Sequence, residues 1–339
     1  MHILLTKVFP LTILASIAGQ AAMAPEAGRQ DFVRCVLVVP QGEKPWPDAQ
    51  ERLDLVLKDV QWWYSCQMEA HGFGAKTFPL ELNKDGTVKI HIVPMEEPLS
   101  PDKDKARAAV VGTAVSMSPS YRRGLGPVFC VVFNGYYWID KNKLTLWPQG
   151  LGNENGWAHF SGYHYFNICP KGWRIDTRLS DFDDPDQLFP PEHLRMLKAY
   201  YGEQRVKEMP QRMKLPVGLQ CDGHGIFAHE LGHAFGLSHL KPDDPPVKMD
   251  VMNIGVFGVM RGNFLEEIRD EYACLSPKEA KILNSKALFR EIGGLKASTG
   301  ASREVGARGA KEAIQAAAQF TGSKTGSKSQ DRSKRNKQE

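Results

Sequence analysis

Apolar positions along this chain fall into runs of two kinds, short β-branched blocks and longer helical spacings, and their order predicts the elements. Phe32 to Val39 is almost wholly apolar, the pattern of a strand buried on both faces. Pro47 and Asp48 then open a helix that runs to about His71, with Leu53, Leu55, Leu57 and Val60 apolar and Gly72 and Gly74 as its stop. Phe78–Leu82 and Val88–Val93 flank Asn83-Lys84-Asp85-Gly86-Thr87, and the Asp-Gly pair predicts a hairpin. A second helix is expected from about Lys103 to Met117, and Val128–Phe133 is another buried strand.

The stretch 135–223 is rich in aromatics. Within it, Gly156–Phe160 has the spacing of an edge strand, and Glu192–Met209 reads as helical. Further on, Ser276-Pro277-Lys278-Glu279 starts a helix with Ser as N-cap and Pro in the first turn. No internal repeat is present.

The ends change the picture. Met1 to Lys7 and the apolar run from Val8 to Gly19 describe a secretory signal peptide, with cleavage expected after Ala21. That run is about 12 residues, short of the roughly 20 needed to span a bilayer. An uncleaved anchor is the alternative. Six cysteines (Cys35, Cys66, Cys130, Cys169, Cys221, Cys274) in an exported chain are compatible with up to three disulfides, with buried free thiols as the other reading. Residues 297–339 carry nine Lys/Arg and four Asp/Glu, a net of +5, against +4 for the whole chain. The basic character therefore belongs to the tail. Its Gly, Ser, Lys and Gln content predicts disorder, with at most a short helix from Lys311 to Phe320. Nothing supports nucleic-acid binding, and the pattern sets no oligomeric state.

The candidate chemistry lies in His229-Glu230-Leu231-Gly232-His233-Ala234-Phe235-Gly236-Leu237-Ser238-His239, which reads H-E-x-x-H-x-x-G-x-x-H. Residues four apart share one helix face, so His229 and His233 can meet one zinc ion. Glu230 then flanks the metal as a general base, while Gly236 can end the helix left-handed and return His239 as third ligand. Three protein ligands leave a position open, as in catalytic rather than structural zinc sites. Phe227, Leu231, Ala234 and Phe235 fall on the opposite face, free to pack a core. His159 and His164 are the alternative ligands on offer. The acidic run Asp181–Asp186 offers hard oxygens for a structural calcium ion, without the spacing of a recognised calcium loop.

This motif resembles that of the metzincin zinc metallopeptidases, in which a methionine in a tight turn lies beneath the metal. Met252, in Asp250-Val251-Met252-Asn253, is the best match for that Met-turn; Met249 and Met260 are weaker ones. Gly232 and Leu237 are similar to the matrixin and pappalysin versions, whereas Leu240, after the third histidine, matches no subgroup. The resemblance implies an α+β metzincin-like zincin, a mixed twisted sheet with an active-site helix above the cleft and a smaller C-terminal subdomain. It also implies that the 156–160 edge pairs with extended substrate and that 253–261 walls a substrate pocket. The expected organisation is a signal peptide (1–21), a short segment (22–30), a catalytic domain (31–295, its upper subdomain to about 236 and lower subdomain about 237–295) and a disordered basic tail (296–339).

The implied activity is that of a secreted or periplasmic zinc endopeptidase acting on protein or peptide, with His229, His233 and His239 as ligands and Glu230 as base. A zinc hydrolase of a non-peptide bond and an inactive metzincin-like binding module are the competing classes. The intact Glu230 argues against the second, because a structural zinc needs only ligands.

Overall fold

The structure, a computed structural model, describes residues 32–100, 102–118, 126–135, 137–140, 143–145, 156–162, 216–241, 250–253, 273–298 and 300–335, together with single positions at 165, 198, 203, 204, 244 and 247. In chain order its elements are β1 (Val33–Val39), α1 (Ala49–Ala70), β2 (Lys76–Thr77), β3 (Ile90–Pro94), α2 (Lys103–Ser116), β4 (Val128–Phe133), β5 (Tyr137–Asp140), β6 (Lys143–Thr145), β7 (Trp157–Phe160), α3 (Pro216–Ala234), α4 (Pro277–Asn284), β8 (Arg290–Glu291) and α5 (Arg303–Arg335).

The main sheet has the order β3-β1-β4-β7, and every pairing in it is parallel. A mixed sheet was the expectation. Among the described strands, antiparallel pairing is confined to the two-stranded ribbons β2–β8 and β5–β6. The cause is connectivity: β1, β3 and β4 are joined by long crossovers that contain α1 and α2, and long crossovers are what parallel neighbours require.

Alternation along β1 and β4 sorts the core into two layers. Val36, Val38, Phe129, Val131 and Phe133 face α2 and pack on Ala106, Val110 and Ala114. Val33, Cys35, Leu37, Cys130 and Val132 face the other way and join α1 and α3 in the larger cluster. Burial on both faces explains why these strands carry nearly continuous apolar residues.

The expected hairpin forms only at its turn. Asn83 N–H donates to Thr87 O at 2.8 Å, and Leu82 bridges Val88, but the second arm continues as β3 and pairs parallel to β1. The 156–160 segment is an edge strand as expected, lying beside β4. At α4, Ser276 and Glu279 form a reciprocal capping box with Pro at the helix start.

Two expectations are corrected. The tail from 296 is not disordered among the described residues: it enters α5, a helix over Arg303–Arg335. Gly306, Gly309, Ala310 and Ala313 are its buried positions, a one-sided stripe of small residues. Backbones approach closely along it, for a Cβ on Gly306 would lie 2.7 Å from the Trp62 ring and 2.9 Å from Cys66 Sγ. Gln67 on α1 reads this contact, donating to Gly306 O at 2.6 Å. The second correction concerns the cysteines. Cys35, Cys66, Cys130 and Cys274 are buried free thiols, while Cys169 lies outside the described residues and Cys221 falls in the first turns of α3. The four buried thiols pack as small apolar groups, and burial pushes the Cys66 thiol up to about 11.

Among the described residues no helix is long and apolar enough to cross a membrane. The expected signal peptide, the helix 192–209 apart from the helical positions 198, 203 and 204, the acidic run 181–186, His164, Met249 and Met260 lie outside the described residues.

Candidate metal centre

Helix α3 carries His229, Glu230 and His233 in its last two turns and is held from below by aromatic packing. Phe227 stacks on Phe160 of the edge strand with ring centroids 3.8 Å apart. Phe235 sits among Tyr64, Phe78 and Phe289, at centroid distances of 5.7, 4.9 and 5.2 Å. Tyr64, fully buried on α1, donates its hydroxyl to Ala228 O at 2.7 Å. These contacts fix the rotation of the helix about its axis, and so the direction in which His229 and His233 point.

The helix stops as the glycine predicts. Gly236 has φ +91°, Gly236 N–H donates to His233 O at 2.8 Å, and Leu237 N–H reaches back to Gly232 O at 2.9 Å. This is a Schellman ending, in which the left-handed residue reverses the chain. The reversal brings His239 to the two helical histidines.

The three Nε2 atoms converge: His229 to His233 is 3.1 Å, His233 to His239 is 3.2 Å, and His239 to His229 is 3.4 Å. Their other ring nitrogens are directed elsewhere. His229 Nδ1 contacts Val251 O at 2.7 Å and His233 Nδ1 contacts Leu237 O at 3.0 Å. A carbonyl can only accept, so both rings carry their proton on Nδ1 and turn an Nε2 lone pair toward the common centre. Three lone pairs at this spacing repel one another unless a cation lies between them. Tetrahedral ligands held about 2.0–2.1 Å from zinc lie about 3.3 Å apart, so the donor set fits that ion. Burial also holds the rings neutral: it lowers His229 to about 4 and moves His233 in the same direction.

Glu230 is buried beside this triad, at 5% exposure. His159 lies apart, in β7 opposite Val131, and does not join the three. Among the described residues this triad is the one His/Cys/Asp/Glu group able to hold a metal.

Beneath the helix runs the turn Asp250–Asn253, closed by Asn253 N–H to Asp250 O at 2.9 Å. Met252 is fully buried there, and a Cβ on Gly232 would meet its Sδ at 2.6 Å. Gly232 is therefore required by the close approach of this methionine. Residues 254–261, expected to wall a pocket, lie outside the described residues.

Sequence reasoning missed the polar supports. His224 Nε2 lies 3.2 Å from Asp59 Oδ2, both buried, and Asp59 Oδ1 accepts Ser298 N–H at 2.6 Å. Leu275 N–H donates to Gln67 Oε1 at 3.0 Å. Leu240, which matches no metzincin subgroup, packs with Val247, Cys274 and Ala313 of α5. The regular small-residue spacing of α5 was the available signal for that last contact; the other pairs had none in a single sequence.

No protein-family model matches the chain, and no curated protein matches it. Solved structures of OgpA from Akkermansia muciniphila are similar in part. Two wild-type crystal forms align with TM-scores of 0.44 and 0.45 at 16% and 17% identity, over 77% and 84% of this chain and 62% and 68% of that one. A catalytically inactive form in complex with an O-glycopeptide substrate aligns with a TM-score of 0.40 at 17% identity, over 77% of this chain and 61% of that one. The chain thus spans under two thirds of the length of two of these three. At this degree of likeness, the functional reading rests on the side chains of the site.

Proposed function

We propose that this protein is an exported, metzincin-like zinc endopeptidase. The observation that carries the reading is the convergence of three Nε2 atoms within 3.4 Å of one another beside a buried glutamate. His229, His233 and His239 would hold the ion. When bound, zinc supplies Lewis-acid activation of water and of the scissile carbonyl.

The chain's own residues do the rest. The Nδ1 protons of His229 and His233, tied to Val251 O and Leu237 O, keep the rings oriented and their Nε2 atoms unprotonated. Glu230 takes the proton of the attacking water and passes it to the leaving amine. Its burial beside the triad excludes bulk water from that transfer and raises the strength of each electrostatic contact. Met252 packs the floor. Export is supported by the N-terminal apolar pattern and is tested by sequencing the N-terminus of protein recovered outside the cell.

The deciding experiment is cleavage profiling of a peptide library, with O-glycosylated members included, using wild type, Glu230→Gln and chelator-treated protein. The expected result is cleavage by wild type only, with zinc retained in Glu230→Gln. Substantial turnover by that variant sinks the role given to Glu230, and turnover confined to ester or glycan bonds sinks the endopeptidase reading.

A further inference from the structure

A pair of buried acids lies under the candidate metal centre. Asp250 is wholly buried and Glu279 is 2% exposed. The two carboxyls interact with each other, and one oxygen of each, Asp250 Oδ2 and Glu279 Oε1, is buried with no hydrogen-bond partner. The remaining oxygens are used: Asp250 Oδ1 accepts Met252 N–H at 2.8 Å, and Glu279 Oε2 accepts Ser276 N–H at 2.9 Å. Two ionised carboxylates have no proton to donate, so such a pair can hydrogen-bond only by holding a proton between them.

We propose that Asp250 and Glu279 share one proton, and that this acid pair is the positioning clamp that holds the Val251–Met252 turn against His229. The connection is short. Glu279 caps α4, its carboxyl grips Asp250, Asp250 fixes Met252 N–H, and the adjoining Val251 O receives the Nδ1 proton of His229. Val251 N–H is tied in turn to Cys274 O at 2.8 Å. Both ends of the Val251 peptide are thereby set, and with them the orientation of His229.

The surroundings favour one proton over none. The groups that face the pair are Tyr64 on α1 and Ser276 and Cys274 on the segment before α4, and Glu312 on α5 in turn faces Cys274. None of these is a cation. Two unpaired charges in such a site repel and lose their hydration, whereas an O–H···O⁻ bond keeps one charge and adds a strong contact. Burial, then the neighbouring Asp250 charge, pushes Glu279 well above the usual carboxylate range; burial also raises Asp250. The sign follows. A raised folded value gives stability that is complete below the ordinary carboxyl range and lost as pH rises toward the raised value.

This inference rests on the metal-site reading only for what His229 does, and its test needs no substrate. Thermal melting and zinc affinity by chelator competition are measured on the zinc-loaded full chain across mildly acid to alkaline pH. Glu279→Gln keeps an acceptor for Ser276 N–H and gives Asp250 a permanent donor. Wild type should lose melting temperature and about tenfold in zinc affinity at alkaline pH relative to this variant, in the range produced by changing groups that orient a metal ligand. Asp250→Asn, which keeps an acceptor for Met252 N–H, should flatten the same profile. Parallel profiles for wild type and either folded variant overturn the proposal. Infrared difference spectra of wild type keep it testable whatever the variants do: a protonated carboxyl should be present at neutral pH, and its absence overturns the shared proton. A chain that shows this signature without cleaving peptides retains the clamp and loses only the endopeptidase reading.

Discussion

The parallel sheet and the floor of the metal centre are built by opposite means. In β1 and β4 the buried side chains are apolar, and their order in space follows from alternation alone. Beneath α3 the aromatic packing is joined by buried polar groups that need particular partners: His224 with Asp59, Gln67 with Gly306 and Leu275, Asp250 with Glu279. Apolar packing tolerates similar shapes, whereas a buried polar group that loses its partner keeps the whole cost of desolvation. The sheet should therefore fail by losing stability, and the site by losing geometry.

The largest effect expected is on rate without stability. Glu230→Gln should lower peptide turnover by roughly 10²–10⁴-fold, the contribution of a general base, with melting temperature unchanged in the zinc-loaded protein. Metal removal comes next. Burial depresses His229 to about 4 in the folded chain, so in the metal-free protein its contribution is present above about pH 6.5 and lost as pH falls toward 4. Melting of chelated protein should show that acid loss, and saturating zinc should move it to lower pH.

Leu37→Ala tests the other side of the comparison. Leu37 is fully buried in β1, and its truncation should cost about 2–5 kcal/mol in denaturant unfolding, with zinc affinity of the folded fraction unchanged. Gly306→Ala places a Cβ 2.7 Å from the Trp62 ring and should cost about 1–3 kcal/mol. The same change at Gly293, with open space around it, should be near neutral. Among the changes expected to destabilise, the smallest is Tyr64→Phe, which removes the hydroxyl donated to Ala228 O and should cost about 1 kcal/mol. If Tyr64→Phe instead weakened zinc binding more than it lowered stability, the aromatic packing would belong to the site rather than the core.

The same contrast sets what could be read from sequence. The strand Val128–Phe133 was predicted at its observed bounds, and α2 to within a residue, because apolar periodicity is local. The left-handed Gly236 and the Ser276 cap were legible for a similar reason: each is a short-range backbone requirement. Asp250 and Glu279 drew no reading as a pair, since nothing local reveals that two distant carboxyls meet in a dry site. The small-residue stripe of α5 read as low complexity, because glycine and alanine signal close packing only once a partner helix is known. The cysteines misled through context: an export pattern suggested disulfides, while their positions in β1, α1 and β4 use them as small apolar fillers.

Leu240, one residue beyond the third histidine, rests on Ala313 of the last helix. During synthesis the H-E-x-x-H helix leaves the ribosome well before that support exists. The residue next to the third histidine thus has part of its packing surface on a helix that follows it by some seventy positions in the chain, so the loop bearing His239 is tied to the C-terminal end of the fold.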